Sequence, residues 1–155
     1  MSVKYELWFV AAAVAISTLL LICAHASASS LDDSPTALAA LQAKADQAQP
    51  KDKCFLYAKL VSQMTDLAGR QFNSGESGQA SETLKLVQQY AEKIHMEVAD
   101  DSKRLKDAEL LMQRTSFRLQ DIRNEASYED RQTLEATLKQ LNQVQAQLMT
   151  QVFKK

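Results

Sequence analysis

Apolar residues recur at alternating steps of three and four along the second half of the chain. Between residues 79 and 99 this row consists of Ala80, Leu84, Val87, Ala91, Ile94 and Val98. Residues 103–124 and 128–153 carry rows with the same spacing. Such a row lies on one face of an α-helix, and its average period of about 3.5 residues suits close packing between helices. The pattern therefore predicts three long helices over these segments.

Two further helices are predicted earlier in the chain. Ser34 followed by Pro35 is typical of a helix start, because the serine caps the first turn and proline fits its first position. This pair predicts a short helix that ends near residue 48. Pro50 marks the break and predicts a second helix over residues 51–73, whose apolar face is wide enough to be covered on more than one side.

The joints between the long helices differ in clarity. Residues 73–78 form a clear loop, because two glycines and several short polar residues favour turn conformations. Residues 100–102 contain neither glycine nor proline. They leave open a single long, bent helix that would join residues 79–99 to residues 103–124.

These elements predict an all-α fold. Helices of similar length joined by short loops favour antiparallel neighbours. We therefore expect an antiparallel up-down bundle of about four long helices over residues 51–155, preceded by a short helix and linker at residues 29–50. Two stacked helical hairpins are the alternative arrangement.

Residues 1–28 are predicted to be a secretory signal peptide. An apolar run at residues 7–23 is followed by small residues, with A-x-A cleavage patterns that end at Ala26 and Ala28. The run is also long enough to remain as an uncleaved membrane anchor. Lipidation at Cys23 is a third possibility, disfavoured because isoleucine precedes the cysteine. All three readings place the rest of the chain outside the cytoplasm, with membrane contact only through residues 7–23 if they are retained.

Composition excludes several classes of protein. The chain has 18 Lys+Arg against 19 Asp+Glu, a formal charge of −1, which argues against nucleic-acid binding through a large basic face. Three glycines are too few for most phosphate-binding or dinucleotide-binding folds. Two cysteines cannot build a disulfide-rich scaffold.

Catalytic chemistry is not expected. Without the signal peptide, Cys54 and His95 are the remaining cysteine and histidine, and they lie on different helices. Glu92 and His95 have the Glu-x-x-His spacing of di-iron bundles, but the second histidine that such a site needs is missing. We predict no enzyme, no cofactor and no metal, with only His95, Met96 and Cys54 as weak candidates for a soft metal ligand set.

Cys54 itself has two readings. It opens an apolar stretch, residues 54–58, so we expect it to be buried as a small apolar side chain. A disulfide-linked dimer is the alternative, because a lone thiol in an oxidising compartment can pair between chains.

Part of the chain resembles a known helical repeat. Ala68 and Gly69 in the first helix, Gly75 at the turn and Ala80 early in the second are similar to one tetratricopeptide-type hairpin, over about residues 55–98. This resemblance implies that the alternative arrangement would be two stacked hairpins of the tetratricopeptide (TPR-like) type. The stretch from Cys54 to His95 is also similar to an uncharacterised family of small exported helical proteins of soil bacteria, which implies secretion and no activity.

The last helix supplies the functional hypothesis. Its apolar row, which we expect to contact a partner helix, is Leu134, Leu138, Leu141, Gln145 and Leu148. A polar residue within such a row can set the register of a partner helix. The sequence thus predicts a non-enzymatic adaptor or structural protein of the cell envelope, which binds an envelope protein or self-associates. A small periplasmic metal or ligand carrier is the alternative.

Basic residues are frequent in the helix before it. They are Lys103, Arg104, Lys106, Arg114, Arg118 and Arg123. Asp107, Glu109 and Asp121 are interleaved with them, which is typical of a solvated helix face with internal charge pairs. No ligand is inferred from this pattern.

Overall fold

The computed structural model describes residues 34–96 and 104–154, which belong to one compact unit, Leu31–Lys155. The predicted signal peptide, with its anchor and lipidation alternatives, lies outside the described residues, as do Val98 and the joint at residues 100–102. No helix in the described segments is both long enough and apolar enough to cross a membrane.

The described residues form five α-helices and no strand, which confirms the all-α helical bundle. In chain order these are α1 (Pro35–Gln47), α2 (Pro50–Asn73), α3 (Ser77–Met96), α4 (Leu105–Glu125) and α5 (Tyr128–Val152). The bounds fall within a few residues of the predicted ones, because the apolar rows and the capping residues both mark the same helices.

Local polar contacts define where the helices begin. The Ser34 hydroxyl accepts a hydrogen bond from the backbone N–H of Ala37 at 3.2 Å, and Ser127 caps α5 by accepting from the N–H of Asp130 at 3.3 Å. Each bond satisfies one of the N–H groups that a helix start leaves without a partner. The helix start predicted at Ser34 is confirmed.

The turn between α2 and α3 depends on Gly75. The N–H of Glu76 donates to the carbonyl of Gln71 at 2.8 Å, and the N–H of Gly75 donates to the carbonyl of Phe72 at 3.0 Å. These two bonds are those of a Schellman motif, which needs a left-handed residue just after the helix. Gly75 takes that conformation, with φ of 78°, at little steric cost.

Helix directions follow from residue pairs across each contact. Gln71 lies beside Thr83 across α2 and α3, and Gln145 lies beside Glu109 across α5 and α4, so each sequential pair is an antiparallel hairpin. The hairpins stack so that α2 contacts α4 and α3 contacts α5.

Both stacking contacts are between parallel helices. Phe55 lies against Arg104 and Asp66 pairs with Arg118, so residue numbers rise together along α2 and α4. Along α3 and α5 the same is true from Ser77, which bonds Asp130, to Gln88 and Glu92, which bond α5 further along its length. In the described segments α3 does not contact α4, and α2 does not contact α5.

Among the described helices, α2 pairs with α3, α4 pairs with α5, and the two pairs contact each other through α2–α4 and α3–α5. Because α3 runs antiparallel to α2 and α4 runs parallel to it, α3 and α4 run in opposite directions. The described parts of α3 and α4 are therefore two helices with opposite directions, and the joint at residues 100–102 lies between the described segments.

The core lies between the four long helices. Its largest fully buried apolar side chains are Leu60, Val61, Leu84, Val87, Ile94, Met112, Leu119, Leu134, Leu141 and Leu148. Helix α2 contributes to this core and contacts α1, α3 and α4, as its wide apolar face predicted. Helix α1 contacts α2 and buries only Leu38 and Ala45.

Candidate functional site

The row predicted to bind a partner helix belongs to the protein's own core. Leu134, Leu141 and Leu148 are fully buried between α5 and its neighbours, and Leu138 is partly buried. Gln145, the polar member, donates from Nε2 to the carboxylate of Glu109 on α4 at 3.4 Å. In this fold the row offers a partner helix only the partly exposed Leu138 and Gln145.

Among the three weak metal candidates, the structure describes the side chain of Cys54 alone. Cys54 is fully buried, and this burial raises the pKa of its thiol to about 12. The thiol is therefore protonated at neutral pH, whereas metal binding needs the thiolate. His95 and Met96 end α3, but their side chains lie outside the described residues.

Other possible soft ligands are part of the packing. Met64 and Met112 are buried in the core, as expected for methionines that fill irregular gaps. Within the described segments, no group of three or more His, Cys, Asp or Glu side chains is arranged to hold a metal ion.

The burial of Cys54 also decides between its two readings. The expectation of a buried thiol is confirmed. A disulfide-linked dimer would require the thiol to reach a second chain, which it cannot do while α2 stays packed.

Helix α4 carries two large apolar side chains on its outward surface. Leu110 is 43% exposed and Phe117 is 60% exposed. They are seven residues apart, so they lie on one helix face about 10 Å from each other. The buried residues of α4, such as Met112 and Leu119, lie on the opposite side. No described helix covers this outward surface.

A groove between α2 and α4 runs beside this surface. It has a volume of about 220 Å³ and is lined by Ser62, Thr65, Asp66, Leu111, Arg114, Thr115 and Arg118. The hydroxyls of Thr65 and Thr115 donate to carbonyls of their own helices, at 2.9 and 2.8 Å. The groove is concave, open along one side, and large enough for one or two side chains.

Two arginines one helical turn apart border the groove. Arg118 is 3.6 Å from the carboxylate of Asp66, a contact that remains largely open to solvent. Arg114 is exposed and has no ion-pair partner in the described parts of the chain. We define the α4 face as Leu110, Arg114, Phe117 and Arg118, together with the groove beside them.

The α4 face was missed by reasoning from the sequence. The apolar rows drew attention because they are periodic, whereas Leu110 and Phe117 stand among charged residues outside the row. The available indication was their own spacing of seven residues, which places two large apolar side chains on the polar side of a predicted helix.

A second polar cluster joins α1 to the first hairpin. The Tyr57 hydroxyl donates to Asp46 at 2.6 Å, and Lys93 donates to the same carboxylate oxygen at 3.1 Å. The rings of Tyr57 and Tyr90 stack at 6.2 Å, and the Lys93 ammonium lies 5.2 and 5.3 Å from their centres.

The electrostatics of this cluster follow from these contacts. The Tyr57 hydrogen bond, followed by that of Lys93, lowers the pKa of Asp46. The Asp46 bond raises the pKa of Lys93, and burial raises the pKa of both tyrosines. The groups stay in their usual charge states at neutral pH, so the cluster fastens α1 and offers no poised acid or base.

Two further grooves lack convergent chemistry. One, of about 480 Å³, lies at the α1–α2 turn, where the Arg104 guanidinium stacks 3.4 Å from the centre of the Phe55 ring. The other, of about 490 Å³, is shallow and lies between α4 and α5, with Arg123, Glu135 and Lys139 around Leu138. Each mixes both charge signs without a buried polar group aimed into it.

Comparisons of the chain with protein-family models, with curated proteins and with solved structures found no match.

Proposed function

We propose that this protein is an exported, non-enzymatic helical protein of the cell envelope that acts by binding another protein through helix-to-helix contact. Its role would be that of an adaptor or a structural subunit. The observation that carries the proposal is the outward pair of Leu110 and Phe117 on α4. Large aromatic side chains at such positions commonly contribute much of the affinity of protein interfaces.

The energetic argument concerns what a partner would gain. Removing apolar surface from water stabilises a complex by about 25 cal/mol for every Å² buried. A phenylalanine offers more of this surface than most residues. Both side chains sit on a helix that is already folded and packed against α2 and α5, so a partner need not order the backbone there when it covers them.

The alternative of a metal or ligand carrier lacks support of this kind. It needs Cys54 as a soft ligand, and burial keeps that thiol protonated and away from solvent. An enzyme would need an accessible nucleophile or an oriented base, and Cys54 supplies neither.

Placement outside the cytoplasm is supported by the apolar run at residues 7–23 and the small residues after it. The mass of the chain purified from its own host tests this part of the proposal. A cleaved protein would begin at Ser27 or Ser29, whereas a retained anchor would leave the full-length mass. A full-length chain recovered in the cytoplasmic fraction would contradict export.

Site-specific photo-crosslinking in intact cells tests the binding surface. A photoreactive amino acid replaces Phe117 or Leu110 in separate variants. Leu86 on α3 is the matched control position, because it is 41% exposed, close to the 43% of Leu110. We expect a discrete cross-linked protein of one mass from positions 110 and 117, and none from position 86.

The outcomes separate the versions of the proposal. A cross-linked product with twice the mass of the chain would identify self-association as the contact. Products of many masses at all three positions, or no product at any of them, would show that the α4 face has no dedicated protein partner.

A further inference from the structure

We infer that the α4 face binds an amphipathic helix of a partner protein whose apolar side is flanked by carboxylates. This inference rests on the proposed function and adds the chemistry of the partner. It draws on the shape of the α2–α4 groove, the spacing of the apolar side chains and the charge at their edge.

Shape favours a helix over a flat partner. Two parallel helices leave a concave channel between them, and a third helix can lie in such a channel with its side chains in the groove. The groove of about 220 Å³ between Ser62 and Thr115 can take an apolar side chain of that helix. Leu110 and Phe117 lie beside it, two helical turns apart, which matches residues seven apart on a helix running along α4.

Charge determines the polar side of the partner. Arg114 and Arg118 are one turn apart at the edge of the groove, so two carboxylates four residues apart on a partner helix can face both. Arg114 has no ion-pair partner in the residues that the structure covers. Arginine binds carboxylates through two parallel hydrogen bonds, which gives such a contact both direction and selectivity.

The neighbouring helix strengthens this preference. Helix α2 carries four basic residues against two acidic ones, whereas α5 carries two basic residues against three acidic ones. An acidic helix is therefore drawn to the α2–α4 side of the molecule, because complementary charge raises the rate of productive encounter.

An anionic membrane surface fits the same face less well. Asp66 borders the groove, and Asp107 and Asp121 lie on the outer side of α4. A flat bilayer would bring all three carboxylates close to phosphate groups, whereas a narrow helix with carboxylates opposite Arg114 and Arg118 meets only Asp66, whose charge Arg118 already offsets.

The test uses a pair of synthetic peptides as probes. Both are amphipathic helices with leucines at the spacing of Leu110 and Phe117; one carries glutamates beside the leucines, and its sister carries lysines there. Binding of each labelled peptide to the purified protein is followed by fluorescence anisotropy at low and high salt. We expect the glutamate peptide to bind at least tenfold more tightly than the lysine peptide, with the difference shrinking at high salt.

Four variants link this binding to the α4 face. Arg114→Glu should weaken binding of the glutamate peptide about tenfold and strengthen binding of the lysine peptide. Phe117→Ser should weaken binding of both peptides. Lys139→Glu, on the exposed side of α5, and Leu86→Ser, at an exposure close to that of Leu110, should change neither. All four side chains are exposed, and circular dichroism checks that each variant is folded.

Each other outcome contradicts the inference. Equal affinity for the two peptides, absence of binding, or binding that ignores Arg114→Glu would rule out an acidic partner helix. Binding to vesicles containing phosphatidylglycerol that Phe117→Ser abolishes, without peptide binding, would assign the face to a membrane instead. The proposed function is tested independently of this inference, because cross-linking from position 117 detects any protein partner, whatever its charge.

Discussion

The two interfaces between the hairpins have the same topology and different chemistry. In the α2–α4 interface the helices approach closely at Gly69, where an added Cβ would lie only 2.9 Å from Cδ1 of Ile122. In the α3–α5 interface Gln88 donates to the Thr137 hydroxyl at 2.6 Å, and Gln140 donates to the Gln88 carbonyl at 2.9 Å. The first interface combines this fitted apolar contact with the solvent-facing pair of Asp66 and Arg118, whereas the second has directional, partly buried hydrogen bonds.

This difference shows how a stack of only two hairpins can fix its geometry. A close apolar contact stabilises association but tolerates some sliding, because dispersion and apolar burial have little directionality. Hydrogen bonds at fixed positions resist sliding, since a shift would leave polar groups unpaired. We infer that the α2–α4 interface contributes more of the stability and the α3–α5 interface more of the register.

The largest effect is expected from Gly69→Val. Its branched side chain would meet Ile122 and force α2 and α4 apart, at a cost of roughly 2–3 kcal/mol in the free energy of unfolding. Urea denaturation measures this cost. Gly69→Ala is the graded control. Its single methyl group requires only a shift of the Ile122 methyl, and the cost of that shift offsets the gain of about 1 kcal/mol in helix propensity, so we expect little change in the free energy of unfolding. Equal stability of the valine variant and the wild type would show that the close approach is unimportant.

A smaller effect is expected from a matched pair of threonines. Thr137 and Thr65 are both fully buried, but only Thr137 accepts a hydrogen bond from another helix, whereas Thr65 bonds the carbonyl of Val61 in its own helix. Thr137→Val should cost about 1 kcal/mol, because Gln88 loses its acceptor. Thr65→Val should be close to neutral by the same urea measurement. A larger cost for Thr65→Val than for Thr137→Val would contradict the assignment of the register to the α3–α5 interface.

The smallest effect concerns the polar attachment of α1 by Asp46. Because the pKa of Asp46 is lowered in the folded protein below its usual 3.8, the contact stabilises the fold above that pH and is lost as the pH falls through the lowered value. Asp46→Asn should therefore lower the Tm slightly at neutral pH and not at strongly acidic pH. Tyr57→Phe removes the hydrogen bond that contributes most to the lowered pKa of Asp46, so it should reduce the pH dependence of the Tm. A difference independent of pH would assign the effect to packing of α1 alone.

Much of the helical structure could be predicted because its determinants are local. The apolar rows, Ser34, Ser127 and the glycines near residue 75 act within one or two turns of where they stand. The pairing of α2 with α4 could not be predicted in this way. An apolar row shows which side of a helix is buried, but it does not show which helix will bury it.

The candidate site shows the same limit. The sequence predicts that the row from Leu134 to Leu148 contacts another protein. The structure buries its leucines mainly in the core, because the packing of the two hairpins supplies the neighbouring helices within the chain. The α4 face instead consists of residues outside any row. Phe117 is exposed because α2 and α5 pack on other sides of α4, and this packing is determined by the whole fold.

Pro50 has a consequence for how separate copies of the chain behave. It begins α2, and the two residues that separate α2 from the end of α1, Ala48 and Gln49, are extended. Proteins that exchange a terminal helix between copies often do so by straightening the connection into one continuous helix. Here that straightening would place proline inside a helix, at a cost of about 3 kcal/mol or more. The proline therefore acts against domain swapping, and each copy keeps its own α1.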